Sequence, residues 1–191
     1  MTKYSQPDFY KFSQDSTTLA NLVIARGARG PLLDLCCGCG VIGIEIAQKC
    51  EVKELYLLEL QEEYRQHILN NLKYFIPNNK SKVLISNYLD VELEQKFNTI
   101  VVNPPYFNRT RSRRSPDERK DLCRSYDSGD IKSLVLQGLS YLEEDGDLYM
   151  VLRDNEALLE VEDACEGKAR LERVEKLGEN LFLRITHLNK D

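Results

Sequence analysis

The stretch Leu33-Asp34-Leu35-Cys36-Cys37-Gly38-Cys39-Gly40-Val41-Ile42-Gly43 constrains this chain more than any other. Its glycines fit G-x-G-x-x-G, after a short apolar run (32–36) and before an Ile-rich run of helical spacing (41–49). Glycines there allow a tight turn and close packing of a strand on the helix that follows it. Such a unit belongs to a sheet of parallel strands, because parallel neighbours must be joined by a crossover.

The rest of the chain keeps the alternation. Leu55-Tyr56-Leu57-Leu58 reads as a second buried strand ending at Glu59. Ile68, Leu69, Leu72 and Phe75 give 61–75 the spacing of a helix, stopped at Pro77. Further strands are predicted at 82–86, 99–102 and 147–152. Asp130 is read as the cap of a helix through Leu134, Leu136, Leu139 and Leu142, and another helix passes through Leu158, Leu159 and Val161. Upstream, Asp15-Ser16-Thr17 offers a cap for a helix that reaches Gly27. The tail reads as two strands, 173–177 and 181–188, joined at Gly178-Glu179-Asn180 with no helix between them. The last strand is therefore expected to run antiparallel. The expected fold is α/β and Rossmann-like, a mostly parallel seven-stranded sheet with an antiparallel last strand and helices on both faces. It is expected to occupy 31–191, preceded by a helical extension over 1–30.

A chain of 191 residues, 42% apolar and 30% charged, is enough for one globular domain. Its apolar runs are strand-sized, so no membrane partner is expected. Residues 1–10 are polar and aromatic, unlike a signal peptide, and a cytoplasmic protein is expected. His67 and His187 lie far apart, which excludes an H-E-x-x-H site, and no metal is expected. The six Cys read as reduced thiols. Cys36 and Cys39 form a C-x-x-C where a redox pair would sit, but Gly38 and Gly40 serve a glycine turn rather than a thiol pair. The net charge of -5 excludes a surface that binds polyanions all over, and leaves a local basic patch open.

Glu59 ends its strand 19 residues after Gly40. An acid there can accept hydrogen bonds from two adjacent ribose hydroxyls, which suits a nicotinamide enzyme as well as one using S-adenosyl-L-methionine. A plain tight turn with packing glycines is the other reading. Asp34 favours S-adenosylmethionine: it stands at the strand end, where an acid could receive the positive amino group of a methionine moiety, directly or through water. The second deciding feature is Asn103-Pro104-Pro105-Tyr106-Phe107, directly after the buried run Ile100-Val101-Val102. Ligands of open parallel sheets bind at the carboxyl ends of strands, so Asn103 should face the same crevice as Gly38 and Glu59.

With these residues the chain resembles the class I S-adenosylmethionine-dependent methyltransferases that carry an Asn-Pro-Pro-Tyr motif and act on planar amino groups. The resemblance implies that Asp34, Cys36, Gly38 and Gly40 form the cofactor loop and that Glu59 binds the ribose. Asn87 falls where relatives usually carry Asp near the cofactor's adenine, with Tyr88 beside it and Asp90 as the alternative. Asn103, Pro104, Pro105 and Tyr106 become the catalytic motif, with Asn103 also next to the cofactor. In such a motif the Asn103 side-chain oxygen and the Pro104 carbonyl receive the substrate's amino hydrogens. Tyr106, and Phe107 after it, stack on the substrate plane.

The run Phe12-Ser13-Gln14-Asp15-Ser16 further resembles the bacterial small-domain family that methylates adenine at position 37 of a valine tRNA, where a similar phrase opens a helix over the cofactor. The insertion after the motif points the same way. From Arg109 to Arg124 it carries seven basic and three acidic residues, a balance of +4, leaving -9 to the rest of the chain. Arg109, Arg111, Arg113 and Arg114 are the candidate phosphate-holding residues, on a loop expected to repel itself and stay mobile until RNA binds. The partner expected is therefore RNA, tRNA first, bound by a monomer. A protein-glutamine methyltransferase is the second reading; these normally carry a separate helical domain, for which about 30 residues before the first strand are too few. A nicotinamide-dependent reductase and a binding module without catalysis come third and fourth.

Overall fold

A computed structural model describes residues 4–111, 113–153 and 155–188. Helix α1 (Gln14–Ala25) leads into strand β1 (Leu32–Leu35), the glycine turn and α2 (Val41–Lys49). Strand β2 (Glu54–Glu59), a 3-10 turn (Glu62–Tyr64), α3 (Arg65–Phe75), β3 (Lys80–Ile85) and β4 (Phe97–Val102) follow. The insertion holds β5 (Phe107–Asn108), α4 (Glu118–Arg124) and β6 (Ser125–Tyr126). Then come α5 (Asp130–Tyr141), β7 (Leu142–Leu152), α6 (Asn155–Cys165), β8 (Ala169–Leu177) and β9 (Asn180–His187).

The main sheet has seven strands in the order β3-β2-β1-β4-β7-β9-β8. Strands β3, β2, β1, β4 and β7 pair in parallel, while β9 runs antiparallel to both β7 and β8. The fold is the Rossmann-like one expected, antiparallel last strand included. Chain reversal at β1 is the feature that creates the site. From β1 the chain crosses to β2 on one side and later returns to β4 on the other, which opens a crevice at the carboxyl ends of these strands.

Period-two alternation sorts the core into two layers. Leu33 and Leu35 of β1 pack with Leu58, Ile100, Val102 and Met150 under α5 and α6. Leu32 packs with Leu55, Leu57, Val101 and Val151 under α1, α2 and α3. Asp34 shares that second face, and Gly43 is why α2 can lie close there. A Cβ on Gly43 would stand 2.9 Å from Leu55 Cδ1 and 3.1 Å from Asp34 Cβ. Leu19, Ala20 and Val23 of α1 are buried in this same layer, so the amino-terminal helix shares the domain's core.

Several boundaries differ from expectation. Strand β7 begins five residues earlier, through an acidic stretch at Glu143-Glu144-Asp145. Gly129, at φ 93°, occupies the cap position of α5, and the Asp130 carboxylate instead accepts the Asp127 N–H at 2.7 Å. Ser13 stands at the cap position of α1, with Asp15 one residue inside the helix. The insertion is folded, with a helix and a two-stranded ladder that the charge run hid. Ser112 within it, together with residues 1–3 of the extension and 189–191 of the main domain, lies outside the described residues.

Candidate active site

A cavity of about 290 Å³ opens at the carboxyl ends of β1, β2 and β4, walled on one side by Tyr10, Phe12 and Ser16 of the amino-terminal segment. The glycine turn forms its floor. Cys36 and Gly38 take left-handed backbone, φ 64° and 54°, and both line the cavity. For Cys36, a residue with a side chain, this conformation costs on the order of 1 kcal/mol or more, and the turn holds it there. The Gly38 N–H donates to Glu59 Oε2 at 2.8 Å, and the Gln61 N–H donates to Oε1 at 3.0 Å. Glu59 also lines the cavity at 7% exposure. Burial pushes its carboxyl above the ordinary range, against the two amide bonds that favour the charged form. A carboxylate has four acceptor sites, so Glu59 keeps capacity for ligand hydroxyls.

Two expected loop residues stand behind the wall rather than in it. Asp34 is wholly buried: Oδ2 accepts the Gly43 N–H at 2.8 Å, and Oδ1 has no hydrogen-bond partner. Burial pushes its carboxyl up to about 7. Asp34 thus fastens the start of α2 to β1, and its carboxyl has no exposed surface with which to meet a ligand's ammonium directly. Gly40, at φ 80°, does not line the cavity either, and a Cβ there would come within 3.0 Å of Leu57. On the far side, Asn87 and Tyr88 both line the cavity, whereas Asp90 is exposed outside it.

The motif after β4 meets the cavity with Asn103, Pro104, Pro105 and Tyr106. Asn103 Nδ2 lies 2.8 Å from Ser16 Oγ, and Oδ1 lies against the Tyr106 hydroxyl. That hydroxyl also meets Asp15 Oδ2, which takes a second bond from Arg153 at 3.0 Å. The Arg153 guanidinium covers the Tyr106 ring at 4.4 Å from its centroid and donates to Asn180 Oδ1 at 2.7 Å. Tyr106 is thereby more than a stacking ring, since its hydroxyl joins a buried polar network. Burial and Asp15 push this phenol well above its ordinary range. Phe107 does not line the cavity; it pairs with Ser125 in the small ladder and carries Arg124 over its ring.

The four candidate arginines of the insertion divide into two pairs. Arg109 lines the cavity but is bound by Asp127, by Asp121 at 3.5 Å and by the Ser125 carbonyl at 3.2 Å. Arg111 pairs with Glu156 at 2.6 Å. These two hold the insertion together, which corrects the expectation of a self-repelling loop. Arg113 and Arg114 are exposed and make no ion pair with a described residue.

Asp15, Ser16 and Arg153 are the site residues that sequence reading did not assign. Asp15 was legible as a helix cap and as part of the phrase Phe12-Ser13-Gln14-Asp15-Ser16, and Arg153 only as a charge just past the apolar run of β7. The thiols are free. Burial pushes Cys36 and Cys37 far up and Cys39 up to about 12, which removes the thiolate a redox pair needs.

Residues 11–176 match the methyltransferase small domain family. This chain belongs to that family. The tRNA1(Val) (adenine(37)-N6)-methyltransferase of Actinobacillus pleuropneumoniae serotype 5b (strain L20) is 30% identical over 143 residues, 74% of this chain and 59% of that protein. The ribosomal protein uL3 glutamine methyltransferase of Francisella tularensis subsp. tularensis (strain SCHU S4 / Schu 4) is 27% identical over 137 residues, 68% of this chain and 44% of that protein. The chain thus spans about half the length of the curated relatives it matches, from 44% to 59%. Among solved structures, the ribosomal protein L11 methylase of Lactobacillus delbrueckii subsp. bulgaricus superposes with a TM-score of 0.70 at 19% identity, over 94% of this chain and 81% of that one. The N-methyltransferase NodS of Bradyrhizobium japonicum WM9, in complex with S-adenosyl-L-homocysteine, gives 0.63 at 15% identity, over 92% and 87%.

As expected for this family, the cofactor is S-adenosyl-L-methionine. The cavity suits it, with the buried acid Glu59 at the end of β2 and apolar Leu60 and Leu89 at the rim. No described helix is long and apolar enough to cross a membrane, and the described residues hold no cluster of three metal-ligating side chains.

Proposed function

We propose that this small-domain methyltransferase methylates the exocyclic amino group of adenine in RNA, with tRNA the first candidate. The observation that carries the reading is that Asn103 and Pro104, at the end of β4, line the same cavity as Glu59. Glu59 receives the ribose hydroxyls, Asn87 and Tyr88 flank the adenine, and the backbone at Cys36 and Gly38 faces the methionine part. Asp34 and Gly40 support that loop from behind. When bound, the cofactor supplies an electrophilic methyl on a sulfonium.

An amino group conjugated to a ring is a weak nucleophile, because its lone pair is delocalised. Acceptors at Asn103 and the Pro104 carbonyl favour the tetrahedral amino group and stabilise its developing positive charge. Pro105 fixes the turn, and Tyr106 borders the substrate plane. Exposed Arg113 and Arg114 are free to meet phosphates, with Arg109 and Arg111 shaping the insertion that carries them.

A glutamine amide is also a planar amino group, so the Francisella relative keeps a protein substrate as the second reading. The test is transfer of labelled methyl from S-adenosylmethionine to total RNA and total protein in parallel, followed by nucleoside and amino-acid analysis. N6-methyladenosine in RNA is expected. Label in glutamine would support the second reading, and label in neither would overturn both. Asn103→Ala should cut turnover about a hundredfold or more with cofactor affinity kept, the scale of one lost transition-state contact.

A further inference from the structure

We propose that Asp15 is a positioning residue: acting through Tyr106, it fixes which end of the Asn103 amide is offered to the substrate. This rests on the reading of Asn103 as the acceptor of the substrate's amino hydrogens. The two ends of an asparagine amide are equal in size, so its hydrogen-bond neighbours decide the orientation.

Asp15 has a fully buried side chain. Oδ1 accepts the Ser16 N–H at 2.8 Å and the Ser13 hydroxyl. Oδ2 accepts Arg153 at 3.0 Å and meets the Tyr106 hydroxyl. Each of these neighbours can donate, and one is a guanidinium, which suits an acceptor-only carboxylate. Tyr106 has a single hydroxyl hydrogen and two oxygens competing for it, Asp15 Oδ2 and the near end of Asn103. The carboxylate wins, because a charge-assisted hydrogen bond is roughly twice as strong as a neutral one.

The Tyr106 oxygen then turns lone pairs toward Asn103. An amide oxygen facing it would set acceptor against acceptor, so the amide NH2 must face Tyr106. The Asn103 carbonyl consequently takes the place where Nδ2 stands 2.8 Å from Ser16 Oγ, and there the Ser16 hydroxyl can donate to it. The chain runs one way: Ser16 to Asn103, Asn103 to Tyr106, Tyr106 to Asp15. Asn103 and Ser16 both line the cavity, so the carbonyl's second lone pair is free for a substrate N–H. Without the charge on Asp15 the chain can run either way, and one of its two directions aims a donor at a donor.

The direct test is nuclear Overhauser contact from the Asn103 side-chain NH2 protons in the unliganded protein, labelled at asparagine. Contacts to the Tyr106 ring protons are expected, and contacts confined to the Ser16 β protons would overturn the proposal. The kinetic test is a cycle of Asp15→Asn and Tyr106→Phe. Asp15→Asn should lower kcat about tenfold, with KM for RNA and affinity for S-adenosylhomocysteine within about twofold, and should add little once Tyr106 is Phe. An equal loss in both backgrounds would make Asp15 a plain anchor of α1 and overturn the proposal. Should Asp15→Asn not fold, the contacts in the parent protein decide. If the parent methylates no RNA, the reading of Asn103 falls, while the same contacts still report the amide's orientation.

Discussion

Stability should fall as pH rises from about 4 to 7, and Asp34, with Glu59 beside it, should contribute to the fall. Burial lifts its carboxyl from 3.8 to about 7 in the folded chain. Between these values the folded protein holds a proton that the unfolded chain has lost. The stability contributed by the protonated acid is complete near pH 4 and disappears as pH passes 7, with a slope of about 1.4 kcal/mol per pH unit. Across that window the total is about 4 kcal/mol, a large share of the roughly 5–15 kcal/mol that stabilises a typical domain. Asp34→Asn carries no titrating group, and its amide oxygen can still accept the Gly43 N–H. Its NH2 would stand where Oδ1 now has no partner, a cost of about 1–3 kcal/mol that does not depend on pH. Urea unfolding of both proteins in matched buffers removes the carboxylates that do not interact with Asp34 from the comparison, and leaves its coupling to Glu59 in it. The parent's advantage over Asp34→Asn should decline across the window and level off above it. A flat difference, or one that grows with pH, would refute the reasoning by showing that the Gly43 amide outweighs burial.

Glu59→Ala should weaken S-adenosylhomocysteine by roughly 1.5–3 kcal/mol in calorimetry, the worth of a charged hydrogen-bonding group; unchanged affinity would remove Glu59 from the ribose site. Gly43→Ala should lower the urea midpoint, at a cost of about 1–3 kcal/mol for overpacking against Leu55 and Asp34; an unchanged midpoint would mean that α2 shifts freely. Arg113 and Arg114 replaced together by Ala should flatten the salt dependence of RNA affinity by about one to two units, given a slope near -0.7 per phosphate on single strands. An unchanged slope would assign both to solvated surface.

The site was legible where one residue type does one local job. The glycine turn, Glu59 at a strand end and Asn103 before two prolines announce themselves by position, because strand ends of a parallel sheet converge. The alternation that sets the sheet order was legible for the same reason. Asp15 was not, since an aspartate before a helical run is the usual cap, and only the packing of α1 against Tyr106 and Arg153 gives it another task. The fold of the insertion is hidden because its charge run does not show which acids its arginines meet. Arg109 takes Asp121 from within the run and Asp127 from beyond it, and Arg111 takes Glu156, far along the chain. The early start of β7 was hidden by Glu143, Glu144 and Asp145, residues with little intrinsic preference for strand, which extend it past the core.

The position of β9 between β7 and β8 has a consequence for how the chain is made. As synthesis proceeds, β7 and then β8 leave the ribosome before the strand that joins them exists. Until β9 emerges, β7 presents an unpaired apolar edge and β8 has no neighbour in the sheet, a state that invites pairing with other chains. Arg153, at the end of β7, likewise waits for Asn180. Two of the seven strands and one tether of the Tyr106 network are therefore added in a single late insertion, so a nascent chain halted before residue 180 would hold the glycine turn and Asn103 yet lack the finished scaffold behind them.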